Sequence, residues 1–179
     1  MQSIVWQALR SASDPKAIRE AIESRLFALS RSHDLLTREK WESAGLRNIV
    51  EEALAPFTNG KSSRVSLKGP AARFLPKAAL ALSIAFNELA TNASKYGAFS
   101  NTERSIDIVW KRTKKSKGPM MTIRWEEHDG PPVTTPTRKG FGSMVLQRGL
   151  AHELGGEVTL DYRPKGLICT IAVPMSGNI

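Results

Sequence analysis

The chain has 179 residues, 41% of them hydrophobic, with a formal net charge of +9 and one cysteine. That length fits one ordinary domain with a short extra element, and no apolar run is long enough to span a membrane. Cys169 has no disulfide partner and no secretory pattern is read at the start, so a reducing, cytoplasmic setting is expected. The basic residues are spread out and lack interleaved aromatics or a recognition helix, so neither nucleic acid nor a membrane surface is expected as a partner.

Met1–Ala12 reads as a short helical fragment, with Ile4, Val5, Ala8 and Leu9 apolar. Asp14-Pro15 then supplies an N-cap acceptor and a first-turn proline. Ile18, Ile22, Leu26 and Leu29 recur at helical spacing up to about Ser32. The two pieces make a helical hairpin over residues 1–36 whose apolar stripe suits a second copy of the chain. His33-Asp34 is read as a cap and packing pair, although the same pair can perform acid–base work.

Trp41 to Leu54 is a predicted helix stopped by Pro56, followed by an Asn59-Gly60 turn and a strand over Arg64–Lys68. A long helix is expected from about Leu75 to Gly97. Its second half carries Asn87-Glu-Leu-Ala-Thr-Asn-Ala-Ser-Lys-Tyr-Gly97. Glu88, Asn92 and Lys95 fall at i, i+4 and i+7, which aligns a carboxylate, an amide and an ammonium on one stripe. Such a stripe can hold a hydrated divalent cation beside phosphate oxygens, or it can be the solvated face of a core helix.

Ile106, Ile108 and Trp110 alternate, as do Met121, Ile123 and Trp125, which predicts an antiparallel hairpin with Lys111–Lys117 as its basic tip. The second strand runs into Trp125-Glu-Glu-His-Asp-Gly-Pro-Pro132, where a carboxylate at a strand end could accept from an exocyclic amine. Residues 128–141 hold three prolines, three threonines and two glycines without any period, so a loop of functional length is expected. Arg138-Lys-Gly-Phe-Gly-Ser143 closes that loop and leads into a helix, a place where glycine backbone and free N–H groups favour phosphate. Ser143–Leu154 is that helix, ended by Gly155-Gly156. Alternating strands around Val158/Leu160/Tyr162 and Leu167/Cys169/Ile171/Val173 complete the chain. Cys169 within an alternating strand reads as a packing residue, and so does His152 among apolar neighbours.

The expected architecture is α+β: helices on one face of a mixed, mainly antiparallel sheet over residues 37–179, preceded by the partial helical hairpin 1–36. A cation-holding helix, a carboxylate strand end and a glycine loop together describe a nucleoside triphosphate site. Neither a P-loop nor a Rossmann fingerprint is present in the sequence.

Asn87–Ser100, Trp125–Val133 and Gly140–Leu154 resemble the N, G1 and G2 boxes of the ATP-binding domain of sensor histidine kinases. Those belong to the GHKL superfamily, with its two-layer Bergerat sandwich. Trp125 and Glu127 match the Trp-x-Glu of the HWE subfamily. Similarity also runs from Gln2-Ser-Ile4 through Ala28–Leu36 to Gly166-Leu-Ile-Cys169.

The resemblance implies an ATP-dependent protein histidine kinase, with ATP and Mg²⁺ as cofactors. Asn92 would coordinate Mg²⁺, and Glu88 would sit at the metal or activate water. Lys95 would approach phosphate, Tyr96 would line the pocket and Glu127 would accept the adenine amine. Gly130 belongs to the strand-end turn. Gly140 and Gly142 would let the lid close over the triphosphate, with Ser143 at the helix start, and Arg138 and Lys139 add charge beside it. A response regulator, an upstream sensor domain and a homodimer through the helical hairpin are the implied partners. Two positions depart from the pattern: Asn87 where the subfamily has histidine, and Asp129 where glycine is usual. The phosphoacceptor histidine is expected outside the chain, and the two departures motivate the alternative reading, a degenerate, kinase-like scaffold or docking module that does not turn over ATP.

Overall fold

The computed structural model describes residues 43–58, 64–100, 105–115, 118–129, 150–176 and 179. The helical hairpin of residues 1–36, His33-Asp34, Trp41, the Asn59-Gly60 turn and residues 130–149 lie outside the described residues.

Apolar spacing sets the first helix. Leu46, Ile49, Val50, Ala53 and Leu54 are all buried on one face of α1 (Leu46–Thr58). The helix continues through Pro56 rather than stopping before it. Proline forfeits its own N–H bond and crowds the carbonyl four residues before it, a local cost that the burial already secured upstream outweighs. Just before α1, β1 (Ala44–Gly45) pairs antiparallel with β3 (Arg73–Phe74), a two-stranded ribbon that ties the helix start to the chain entering the second helix.

The second helix, α2 (Pro76–Tyr96), has proline in its first turn, where the missing N–H has no helical partner to lose. Ala78, Leu82, Ala85, Phe86, Leu89 and Ala93 face the core, and α2 packs against α1. A 3-10 turn, Ala98–Ser100, follows directly.

The sheet has five strands: β2 (Val65–Lys68), β4 (Ser105–Lys115), β5 (Gly118–His128), β6 (Glu157–Arg163) and β7 (Gly166–Pro174). Their spatial order is β2-β4-β5-β7-β6, with β2 parallel to β4 and every other pair antiparallel. The mixed, mainly antiparallel sheet expected from alternation is therefore the observed one. Side chains of opposite parity lie on opposite faces. Ile106, Ile108 and Trp110 thus meet Met121, Ile123, Trp125, Cys169, Ile171 and Val173 under the helices.

The β4–β5 ladder runs from Ser105↔His128 to Lys115↔Gly118. The basic residues Lys111–Lys115 are accordingly strand, not the turn expected of them, because ladder hydrogen bonds accept any side chain that can reach water. A short α3 (Ala151–Leu154) ends at Gly155 in the left-handed conformation, φ 61°, as the Gly155-Gly156 stop predicts. Leu150 and Leu154 bury onto the core, and Lys77 Nζ of α2 lies 3.1 Å from Glu153 Oε2.

Candidate functional site

Core packing orients the polar stripe of α2. Leu89 and Ala93 are fully buried, which turns Glu88, Asn92 and Lys95 toward the other side of the helix. The three grade outward: Glu88 is buried, Asn92 half-buried and Lys95 exposed. Tyr96, at the end of the helix, is 71% exposed.

The stripe has a fourth member. Thr91 sits three residues after Glu88 and four before Lys95, so it shares their face. Its hydroxyl oxygen is buried and has no hydrogen-bond partner among the described residues. Buried polar atoms nearly always have partners, so a lone one beside a carboxylate and an amide points to a ligand or a water. The spacing was available in the sequence, but threonine in a helix is usually a neutral residue, and only its burial distinguishes it here.

Glu127 is placed by strand parity. It is the last inward-facing residue of β5 after Met121, Ile123 and Trp125, and it is 4% exposed. Both of its oxygens accept hydrogen bonds from the protein. The Ala98 backbone N–H donates to Oε2 at 3.0 Å, and the Trp125 indole N–H donates to Oε1 at 3.3 Å. Burial pushes the carboxyl above its ordinary pKa, against the two donors, which pull it down.

The turn that receives this carboxylate is held from a second side. Arg64, just before β2, donates from Nη2 to the Ala98 carbonyl at 2.9 Å, and its guanidinium lies 5.3 Å from the Phe99 ring centroid. Phe99 in turn stacks on Phe57 of α1, with centroids 6.4 Å apart and planes 4° from parallel. Arg64 was legible only as the first residue of a strand.

Gly97 ends α2, a place where glycine often takes the left-handed backbone. Its φ of −124° is instead an ordinary extended value. Glycine is required there because a β-carbon would collide with the Glu127 carboxylate. The left-handed residue is Asp129, φ 56°, immediately beyond β5. Glycine adopts that conformation freely, and aspartate is one of the few other residues that tolerates it. His128 Nε2 lies 3.1 Å from Asp107 Oδ2 across the ladder. Gly130, Arg138, Lys139, Gly140, Gly142 and Ser143 are outside the described residues.

The donor set fits a hard cation shared with phosphate. Glu88 and Asn92 offer oxygen ligands one turn apart, and no cluster of three or more His, Cys, Asp or Glu suited to a metal exists among the described residues. Mg²⁺ commonly takes one or two protein ligands and completes its shell with phosphate and water, so two oxygens and a nearby hydroxyl suffice.

Residues 1–71 match the HWE histidine kinase family. The whole chain is 37% identical over 179 residues to a blue-light-activated histidine kinase of Brucella anthropi, and it spans 36% of that protein's length. Among solved structures, the histidine kinase domain of the Erythrobacter litoralis EL346 blue-light activated histidine kinase superposes with a TM-score of 0.62 at 17% identity, covering 97% of this chain and 94% of that one. The catalytic domain of histidine kinase ThkA superposes with a TM-score of 0.54 at 15% identity, covering 74% of this chain and 95% of that one. The chain shares its fold with these two domains.

Proposed function

We propose that this chain, a relative of the HWE histidine kinases, is the ATP-binding catalytic part of a two-component sensor histidine kinase. The observation that carries the proposal is the α2 stripe: Glu88, Asn92 and Lys95, with the Thr91 hydroxyl, which has no partner among the described residues, on the same face.

In this reading Asn92 and Glu88 would hold Mg²⁺, which would supply charge neutralisation for the phosphates. Lys95 adds a point charge at the phosphates, and Tyr96 covers the nucleotide at the end of the helix. Glu127 belongs to the base end. Arg138, Lys139, Gly140, Gly142 and Ser143 would serve the phosphate end, and Gly130 the strand-end turn beside Glu127. The bond between the γ-phosphorus and the bridging oxygen breaks as a bond to an imidazole nitrogen forms, and ADP leaves with the bridging electrons. Positioning and charge neutralisation supply the rate, since such a transition state asks for little covalent chemistry from the protein. The phosphoryl group then passes to an aspartate of a response regulator. A sensor domain, dimerisation through residues 1–36 and a cytoplasmic setting complete the proposal. No helix among the described residues is long and apolar enough to cross a membrane.

A docking module that does not turn over ATP is the second reading, motivated by Asn87 and Asp129 at box positions where histidine and glycine are expected. Calorimetric titration of the full chain with Mg-ATP separates the two. Binding that disappears in Asn92→Ala supports the kinase reading. Equal binding by parent and variant overturns the site, and no heat with either assigns the chain to docking.

A further inference from the structure

We propose that β6 is a self-complementary edge along which two copies of this chain pair, antiparallel about Leu160, into one continuous sheet. The proposal rests on the sheet alone, so the outcome of an ATP-binding test leaves it untouched.

β6 (Glu157–Arg163) lies at the end of the strand order and, among the described residues, pairs with β7 alone. The ladder beyond it fixes which of its backbone groups point outward. The Met175 N–H donates to the Pro119 carbonyl at 3.0 Å, toward β5. Backbone direction alternates along a strand, so Val173, Ile171 and Cys169 also face β5, while Ala172, Thr170 and Ile168 face β6. Those three engage Glu157, Thr159 and Asp161, which leaves Val158, Leu160 and Tyr162 to turn their N–H and C=O groups away from the sheet. The side chains of the same three residues are half-buried against the core. A strand added here would pair the backbone and cover apolar surface together.

Charge selects the occupant. Natural edges often carry charges that repel another strand, whereas those of β6 attract a second β6. With Leu160 opposite Leu160 of the second copy, Glu157 stands opposite the other chain's Arg163 at both ends of the pairing. Thr159 stands opposite Asp161, and Val158 opposite Tyr162. Leu160 with Leu160, and Val158 with Tyr162, become the pairs that exchange both N–H···O=C bonds. Directly opposed unlike charges stabilise a strand pair and like charges weaken it. Arg163 Nε already lies 2.7 Å from Asp161 Oδ2 of its own strand, so its guanidinium would join carboxylates of both copies. Other registers are worse. A slip of two residues sets Glu157 against Asp161 in one direction and Asp161 against Asp161 in the other. A slip of one sets outward N–H groups against residues whose own groups face β7. Pro164, which has no N–H, ends the pairing at each end. Opposed side chains share a face, so the helical layers of both copies stand on the same side of the joined sheet.

The test uses the full chain at low salt and high concentration, because a single strand pair is a small interface. Thr159→Cys and Asp161→Cys chains are equilibrated together under mild oxidation, with Cys169 buried and out of reach. Thr159 and Asp161 form the closely spaced, non-hydrogen-bonded pair. The mixed disulfide is expected to form at least about tenfold faster than either variant links to itself. Equal rates overturn the proposal, and so does faster self-linkage of Thr159→Cys or of Asp161→Cys, the marks of the two slipped registers. In the unsubstituted chain, the Val158, Leu160 and Tyr162 amides are expected to be protected from hydrogen exchange. Glu157→Arg and Arg163→Glu are each expected to lower that protection at least about tenfold, and mixing the two variants to restore it. Edge amides that exchange freely in the unsubstituted chain overturn the pairing without recourse to any variant. Protection that survives both substitutions overturns the charge-set register. Dimerisation through residues 1–36 alone would produce neither the mixed disulfide nor the charge-dependent protection.

Discussion

The Glu127 carboxylate fills the space in which a side chain on Gly97 would begin. Two residues 30 positions apart in sequence therefore constrain each other's identity. Gly97→Ala is expected to destabilise the fold by about 2 kcal/mol, the usual range for overpacking a closed site. Urea unfolding of Gly97→Ala, Glu127→Ala and the double variant checks this. Part of the Gly97→Ala loss should be recovered in the Glu127→Ala background. Strict additivity would show that the two side chains do not compete for that space.

Burial raises the Glu127 pKa in the folded state, so the native protein holds a proton there at pH values where the unfolded chain has released it. The sign follows: this group's contribution to stability is fully present below the ordinary carboxylate pKa and is lost as pH rises through the folded value. Unfolding free energy measured across that acidic window should therefore fall more steeply with rising pH in the parent than in Glu127→Gln. A window in which the two profiles stay parallel would contradict the raised value.

Thr91→Val removes a hydroxyl that no described protein group uses. Stability should consequently be unchanged or higher by up to about 1 kcal/mol, whereas losing a satisfied buried hydroxyl normally costs a similar amount. Mg-ATP affinity, by contrast, should fall. A stable variant with undiminished affinity would separate Thr91 from the nucleotide stripe.

Cys169 is fully buried within β7 and its thiol pKa is pushed up to about 12 by desolvation. The thiolate is the reactive form, so a thiol reagent at pH 8 should label the folded chain only as fast as it opens. Labelling should rise to one equivalent in denaturant. Rapid labelling of native protein would show that the strand is accessible.

Much of this architecture was legible because it depends on period. Alternation at Ile106/Ile108/Trp110 and Met121/Ile123/Trp125 can satisfy a one-sided core only as paired strands, and those strands are present. The α2 stripe was legible for the same reason: Leu89 and Ala93 leave Glu88, Asn92 and Lys95 one direction to face. Local chemistry was less decisive. Pro56 did not stop α1, and Lys111–Lys115 joined the ladder, since local penalties, about 3 kcal/mol for a helical proline and about 1 kcal/mol for strand propensity, yield to packing and pairing.

Composition and spacing alone determined the two-layer α+β plan, the inward faces of its strands and the polar stripe on its long helix, because each follows from burying apolar side chains at a fixed repeat. Tertiary structure alone decided that Gly97 is glycine for space rather than for backbone rotation, that Thr91 carries an orphan hydroxyl, and that Arg64 and Glu127 grip Ala98 from opposite sides. Those are contacts between segments remote in sequence, and no local period records which distant atom will occupy a given volume.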